Sequence, residues 1–354
     1  MYSKPKNEVT YDNESKGKGS SKKWRITKND LLFTSLIIIT LLAGLWISVK
    51  SKKYNKYLKE QNSNYYFPTL FDICFYTTIC TFAVLIPKVL IEKALFPFTE
   101  LVLVEKYFRP EFKHEKTKAK RKMTIYGLKF VYYFLITLHS YFVYNKLEFF
   151  PKELLGRGDM NKLYHRGLKS FSFFERPPFF DFHYILNLSY TFADLICVVF
   201  IYDGQTDILV MIFHHFCTIS LITFSYYNHY DSIGALIMYL HNISDIAVYL
   251  GRTFLYVVAP QFIKHAITAT LLISFIYCRL FVYGKLIYGY FTYVIWESYG
   301  INESFRFLLV CLYILHCTWS YKLIKIMYVA LTKGNFTDSR EFIKDKDKDK
   351  KKVN

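Results

Sequence analysis

Apolar and polar positions fall into long blocks along this chain. Runs of mostly apolar residues recur at about 31–49, 67–98, 124–146, 183–202, 207–229, 233–257, 265–296 and 305–332, and short charged or turn-rich segments separate them. A helix crossing a bilayer core needs about 20 such residues, so the pattern predicts about eight spans and an all-α, polytopic transmembrane bundle. The first run, LLFTSLIIITLLAGLWISV, is read as a retained span. It is long, follows a polar leader and lacks a small-residue cleavage site. Residues 1–30 and 335–354 are polar, Lys-rich tails that cannot bury a core. Residues 50–123 hold a polar loop, the second span and a basic loop. The connection 147–182, with Pro151, Pro177 and Pro178, is expected to cover one mouth of the bundle.

Composition supports this reading. The 354 residues are 53% hydrophobic and 20% aromatic yet carry a formal charge of +18, a combination that suits apolar spans with charged flanks. Lys and Arg number 8 in 1–30, 8 in 99–123 and 8 in 333–354. If the spans alternate, these segments share one side, and the positive-inside tendency puts both termini in the cytosol. Lys50, Lys52, Lys53, Lys56 and Lys59 run against that assignment. Lys351 and Lys352, at the third and fourth positions from the end, resemble the dilysine retrieval signal of endoplasmic reticulum membrane proteins. Basic residues at membrane flanks are a topology signal, and no nucleic-acid partner is expected. The seven cysteines all fall in predicted spans and show no metal-ligand spacing, so they are read as packing residues.

Ionisable residues at span depth are costly, and by default they face a bundle interior where chemistry is done. Here they are His214, His215, His241, Asp245, Arg252 and Arg279, with Asp194 and His316 as outlying members. The spans 207–229 and 233–257 are joined by a few residues and should be antiparallel. At 1.5 Å per residue, His214 lies about 22 Å from the linked end, Asp245 about 18 Å and His241 about 12 Å. His241 and Asp245 share a face at i and i+4, with Asn242 beside them. Two adjacent imidazoles, a carboxylate and a carboxamide thus come to one depth. A carboxylate that takes one imidazole proton leaves the other ring nitrogen as base or nucleophile, which suits acyl transfer. The competing reading is a purely interhelical hydrogen bond, which weighs most for His139 and His316. No metal is expected, since the HH pair lacks a further His at i+3 or i+4. Arg279 is either a counter-charge to Asp245 or part of an entry path for a phosphate-bearing substrate. Arg252, nearer the cytosolic mouth, is read as snorkelling.

HHFCTISLITFSYYNHYDSIGALIMYLHNISDIAVYLGRTFLYV (214–257) resembles the signature segment of the ceramide synthases, acyl-CoA-dependent sphingoid base N-acyltransferases with a TLC domain. YILNLSYTF (184–192), CRLFVY (278–283), WES (296–298) and WSYKLIKI (319–326) resemble further elements of that family in the same order. The resemblance covers about 124–334 and implies a six-span catalytic TLC domain there. It implies His214 and His215 as the essential pair, one of them, His214 in the first instance, serving as base or acyl-imidazole nucleophile. Asp245 would be its polar partner, with His241, Asn242 and Arg279 in support. Glu297, Ser298, Tyr299, Gly300, Ile301, Asn302, Glu303 and Ser304 would tune acyl-chain length. One departure stands out: the family usually has Asp where this chain has Asn242, which can hydrogen-bond but cannot act as a base. The implied protein is an endoplasmic reticulum ceramide synthase with acyl-CoA as co-substrate, a sphingoid base as acceptor, no bound cofactor, membrane lipids around it and a homo- or hetero-dimeric partner. Direct attack and an acyl-histidine path both stay open. The rival is a TLC-domain protein that binds or moves lipid, or assists membrane insertion, without catalysis.

Overall fold

The computed structural model describes residues 56, 60, 69–103, 108, 113–165, 177–202, 208–228, 230–293 and 301–333. The predicted span 31–49, both charged tails and Glu297–Gly300 lie outside the described residues. Among the described residues, seven long helices carry the fold: α1 Leu70–Leu95, α2 Lys113–Tyr144, α3 Phe180–Ile196 with a π-helical extension Cys197–Ile201, α4 Ile208–Tyr227, α5 Asp231–Phe254, α6 and α7 Ile301–Lys333. Helix α6 runs from Gln261 to Phe275, through a π-helical segment Ile276–Val282, and on from Tyr283 to Tyr293. Seven of the eight predicted spans thus coincide with helices. Among the described residues six helices are long and apolar enough to cross a membrane, and the protein is a multi-pass membrane protein.

Helix α2 is the exception. It starts well before the predicted 124, because KHEKTKAKRK is built of strong helix formers. Lys116 and Lys120 also tie its first turns to Glu100 on the preceding short helix. Five tyrosines, Lys129 and His139 lower its apolarity, and these residues serve the interior rather than lipid.

Local chemistry sets the ends. Thr69 caps α1 in a reciprocal box: its hydroxyl accepts from the Asp72 amide at 3.1 Å, and the Asp72 carboxylate accepts from the Thr69 amide at 3.0 Å. Between α4 and α5 the Tyr230 amide donates to the Ser225 carbonyl at 2.7 Å and the Asn228 side chain to the Phe224 carbonyl at 2.8 Å. These bonds satisfy the last carbonyls of α4 within a three-residue link.

The helices form a ring. In spatial order α3, α4, α7, α6, α5 and α2 each touch the next, α2 closes onto α3, and α1 packs outside against α3. Phe71, Phe75, Ile79, Phe82, Ile86 and Leu90 make an exposed stripe along α1 at three- and four-residue spacing, the face such a helix turns to lipid. Helix α5 is the opposite case, buried continuously from Asp231 to Asn242. Gly234 permits that burial: a Cβ there would stand 1.8 Å from the Tyr184 hydroxyl and 2.5 Å from Ser225 Oγ. The described part of the 147–182 connection folds into the same core, burying Phe149, Phe150, Leu154, Met160 and Leu163. Of the cysteines, Cys197, Cys217, Cys278 and Cys311 are buried packing residues, while Cys74 and Cys317 are exposed and do not fit that reading; none of the seven is disulfide-bonded.

Candidate functional site

Inside the ring lies an elongated pocket. Its lining runs along α5 from Tyr230 to Asp245, about 22 Å at the helical rise. One end is polar, holding Asn187, Asp194, His214, His215, His241, Asn242 and Asp245. The other is apolar, walled by Leu221, Ile233, Ile237, Met238, Leu309 and Leu312 and carrying a cluster of Tyr230, Tyr290 and Phe305. The rings of Tyr230 and Phe305 are 5.1 Å apart, and those of Tyr230 and Tyr290 6.5 Å.

Helix α4 places His214 and His215 on adjacent faces, with ring centroids 5.6 Å apart. The His214 ring meets Trp319 of α7 edge-on at 5.0 Å, and its Nδ1 is buried without a hydrogen-bond partner. His215 is more deeply buried, and neither of its ring nitrogens has a hydrogen-bond partner among the described residues. Buried polar atoms are normally satisfied. Imidazole nitrogens left unengaged in a cavity wall are free to take a partner from a bound molecule.

The carboxylate beside this pair is Asp194, not Asp245. Asp194 Oδ2 stands 3.7 Å from His215 Nε2, and the carboxylate is bracketed by Lys88 of α1 at 2.9 Å and Lys129 of α2 at 2.6 Å. Asp245 instead gives its carboxylate to Arg279 at 2.7 Å, the counter-charge reading of that arginine. Depth along a helix fixes level but not azimuth: Asp245 lines the cavity at the level of the histidines, yet it turns toward α6. Arg279 sits in the π-helical segment of α6, a local widening common at functional sites. From there it also donates to Ser244 Oγ at 2.6 Å, the His241 carbonyl at 3.2 Å and His316 Nε2 at 3.1 Å. His241 donates Nδ1–H to the Ile237 carbonyl at 2.7 Å, and its Nε2 lies 3.1 Å from His316 Nε2. Arg279 thus locks α5, α6 and α7 together behind the cavity wall.

Asn242 belongs to a third network. Its Nδ2 donates to Asn187 Oδ1 at 3.0 Å, and Asn187 Nδ2 donates in turn to the His183 carbonyl at 2.9 Å and to His183 Nε2 at 2.8 Å. His183 is also 2.9 Å from Ser140 Oγ and 3.0 Å from His139 Nδ1. An aspartate at 242 has no hydrogen to give Asn187, so the carboxamides at 187 and 242 form a matched pair. His139 and His316 both make interhelical bonds of the kind expected for them. Arg252 lies over the rings of Tyr126 and Tyr249 at 5.5 and 5.7 Å, a cation–π seat rather than a bare snorkel.

Of the expected acyl-selectivity segment, Ile301–Ser304 form the first turn of α7. Glu303 is exposed and pairs with Arg306 at 3.3 Å, while Ser304 is buried next to the cavity-lining Phe305. No group of three or more metal-competent side chains occurs among the described residues. Sequence reasoning passed over Lys88, Lys129, His183 and Asn187. The two lysines lie inside predicted spans, and the rule that singles out Asp245 reaches them equally.

Residues 122–325 match the family model of the TLC domain, more than half of the chain. The chain belongs to the TLC-domain family. Its relatives include human ceramide synthase 5, 32% identical over 157 residues covering 43% of this chain and 39% of the relative. Human ceramide synthase 3 is 24% identical over 250 residues, covering 67% and 59%. The sphingosine N-acyltransferase lag1 of Schizosaccharomyces pombe is 22% identical over 264 residues, covering 70% and 64%. The chain therefore spans between about two fifths and two thirds of the length of these relatives. Within the TLC domain the matched stretch holds α3 to α6 whole and most of α2 and α7, and so all of the cavity lining.

Proposed function

We propose that this TLC-domain protein is a ceramide synthase: it transfers a fatty acyl group from acyl-CoA to the amine of a sphingoid base, forming the amide of (dihydro)ceramide. The observation that carries this reading is the form of the cavity, with the His214 and His215 rings, whose Nδ1 atoms have no hydrogen-bond partner, at the polar end of an apolar channel. The names of the relatives point the same way. Amide formation needs a deprotonated amine held against an activated acyl carbonyl in a water-poor site, and His214 and His215 are the groups to provide it. The apolar end, from Leu221 to the Tyr230, Tyr290 and Phe305 rings, takes a lipid chain. The basic segments around α2 and the C-terminus face the cytosol and the CoA, in the endoplasmic reticulum membrane.

The test is ceramide formation by membranes expressing the full chain, supplied with isotope-labelled sphinganine and a panel of acyl-CoAs, with products read by mass spectrometry. Labelled ceramide above the level of empty-vector membranes is expected for at least one acyl length. A folded protein giving none with any acyl-CoA would reject the enzyme and favour a non-catalytic lipid binder.

A further inference from the structure

Two lysines from two helices converge on one carboxylate at the edge of the cavity. Lys88 Nζ of α1 is 2.9 Å from Asp194 Oδ1, and Lys129 Nζ of α2 is 2.6 Å from Oδ2; every side chain of the triad is less than a tenth exposed. Ion pairs at this depth are costly to assemble and are kept where they do something. Lys88 ties α1 to α3, and Lys129 ties α2 to α3. What the triad also fixes is the position of Asp194 Oδ2, 3.7 Å from His215 Nε2. That gap is longer than a hydrogen bond, but such contacts in unliganded sites often tighten when substrate binds. His215 has no other hydrogen-bond partner among the described residues, so Asp194 is the polar group positioned to orient its ring.

We propose that Asp194, clamped by Lys88 and Lys129, is a positioning residue for His215 in the acyl transfer proposed above, on which this inference rests. Asp194 accepts the Nε2–H, which fixes the tautomer and leaves the Nδ1 lone pair as proton acceptor. The amine nitrogen attacks the thioester carbonyl, the new N–C bond forms, and the amine proton passes to His215 Nδ1. Asp194 keeps its hydrogen bond to the Nε2–H throughout, which holds the ring in place. The C–S bond then breaks, and the same proton moves from Nδ1 to the leaving sulfur. The products are an amide, a thiol and His215 in its starting form. The lysines offset the charge of Asp194, so the triad does not gather the ammonium form of the substrate, which cannot attack.

The experiment is a double-mutant cycle in the detergent-solubilised full chain, measuring kcat and KM with one long-chain acyl-CoA and sphinganine. Asp194→Asn is expected to lower kcat at least about tenfold, within the range of general-base effects, and to leave both KM values within about twofold. The Asp194→Asn, His215→Ala double variant is expected to be no worse than His215→Ala alone, since a residue acting only through His215 has nothing left to act on. Asp194→Glu is expected to restore part of kcat. Losses that multiply in the double variant, or a raised KM with unchanged kcat, would overturn the proposal. Should Asp194→Asn not fold, Lys88→Met with Lys129→Met and Asp194→Leu replaces the triad by apolar side chains, an exchange that buried ion clusters often tolerate. That variant is expected to show the same loss of kcat, and wild-type kcat from it would reduce the triad to a structural tie. A wild type that forms no amide overturns the enzyme reading itself, whereas an active wild type indifferent to Asp194 overturns only this inference.

Discussion

Gly234 offers a sharp test of how α3, α4 and α5 meet beside the cavity. Adding a methyl group there brings a Cβ to 1.8 Å from the Tyr184 hydroxyl and 2.5 Å from Ser225 Oγ. Tyr184 cannot give way easily, because it is 1% exposed and stacked on Tyr226 at 5.0 Å. Overpacking of this kind costs about 1–3 kcal/mol. The clash is chiefly with one oxygen, so Tyr184→Phe should relieve it. Alone, Tyr184→Phe removes the 2.7 Å bond to Ser225 Oγ and costs about 1 kcal/mol. Ser225 keeps its bond to the Ile222 carbonyl at 3.0 Å and is not orphaned. In the double variant the contact with Ser225 Oγ remains, so recovery is partial, and the coupling should be favourable by about 1–2 kcal/mol. With about 2–4 °C per kcal/mol for a domain of 150–250 residues, thermal unfolding in detergent resolves the three variants. Gly234→Ala unfolding at the wild-type temperature, or Tyr184→Phe failing to recover any of its loss, would refute the close approach.

Other outcomes follow from single contacts. Arg279→Met strands the Asp245 carboxylate and should cost about 3–5 kcal/mol, part of it recovered by adding Asp245→Leu; thermal unfolding of the pair checks this, and equal loss in single and double variants would contradict it. Asn242→Leu leaves Asn187 Oδ1 buried without its donor and should cost about 1–3 kcal/mol, again read by thermal unfolding. Phe305→Ala removes one ring from the aromatic cluster at the apolar end and should shift ceramide products toward longer acyl chains. An unchanged distribution at full activity would separate Phe305 from chain selection.

The bundle was legible because lipid imposes a simple rule: apolar runs of span length become helices. Even the level of the site followed from counting residues, since His214, His215, His241, Asn242 and Asp245 do line one cavity. What the count could not supply was azimuth. Asp245 sits at the right height and faces Arg279 on α6, while Asp194, on a helix with no fixed register to α4 in the sequence, supplies the carboxylate next to His215. The π-helical turn at Ile276–Val282 rotates the face of α6 and leaves no residue-level signature in IYCRLFV. Lys88 and Lys129 were overlooked for a different reason. A lysine in an apolar run reads first as a flank or a topology mark, and only the convergence of α1, α2 and α3 shows two of them sharing a carboxylate.

The central claim is that His214 and His215 carry acyl transfer in this cavity. It is tested most directly by comparing wild type with His214→Ala, His215→Ala at equal expression, on the acyl-CoA that the wild type uses best. The account predicts ceramide formation abolished in the double variant, with the protein still folded and membrane-inserted. Ceramide produced at the wild-type rate without either imidazole would contradict it.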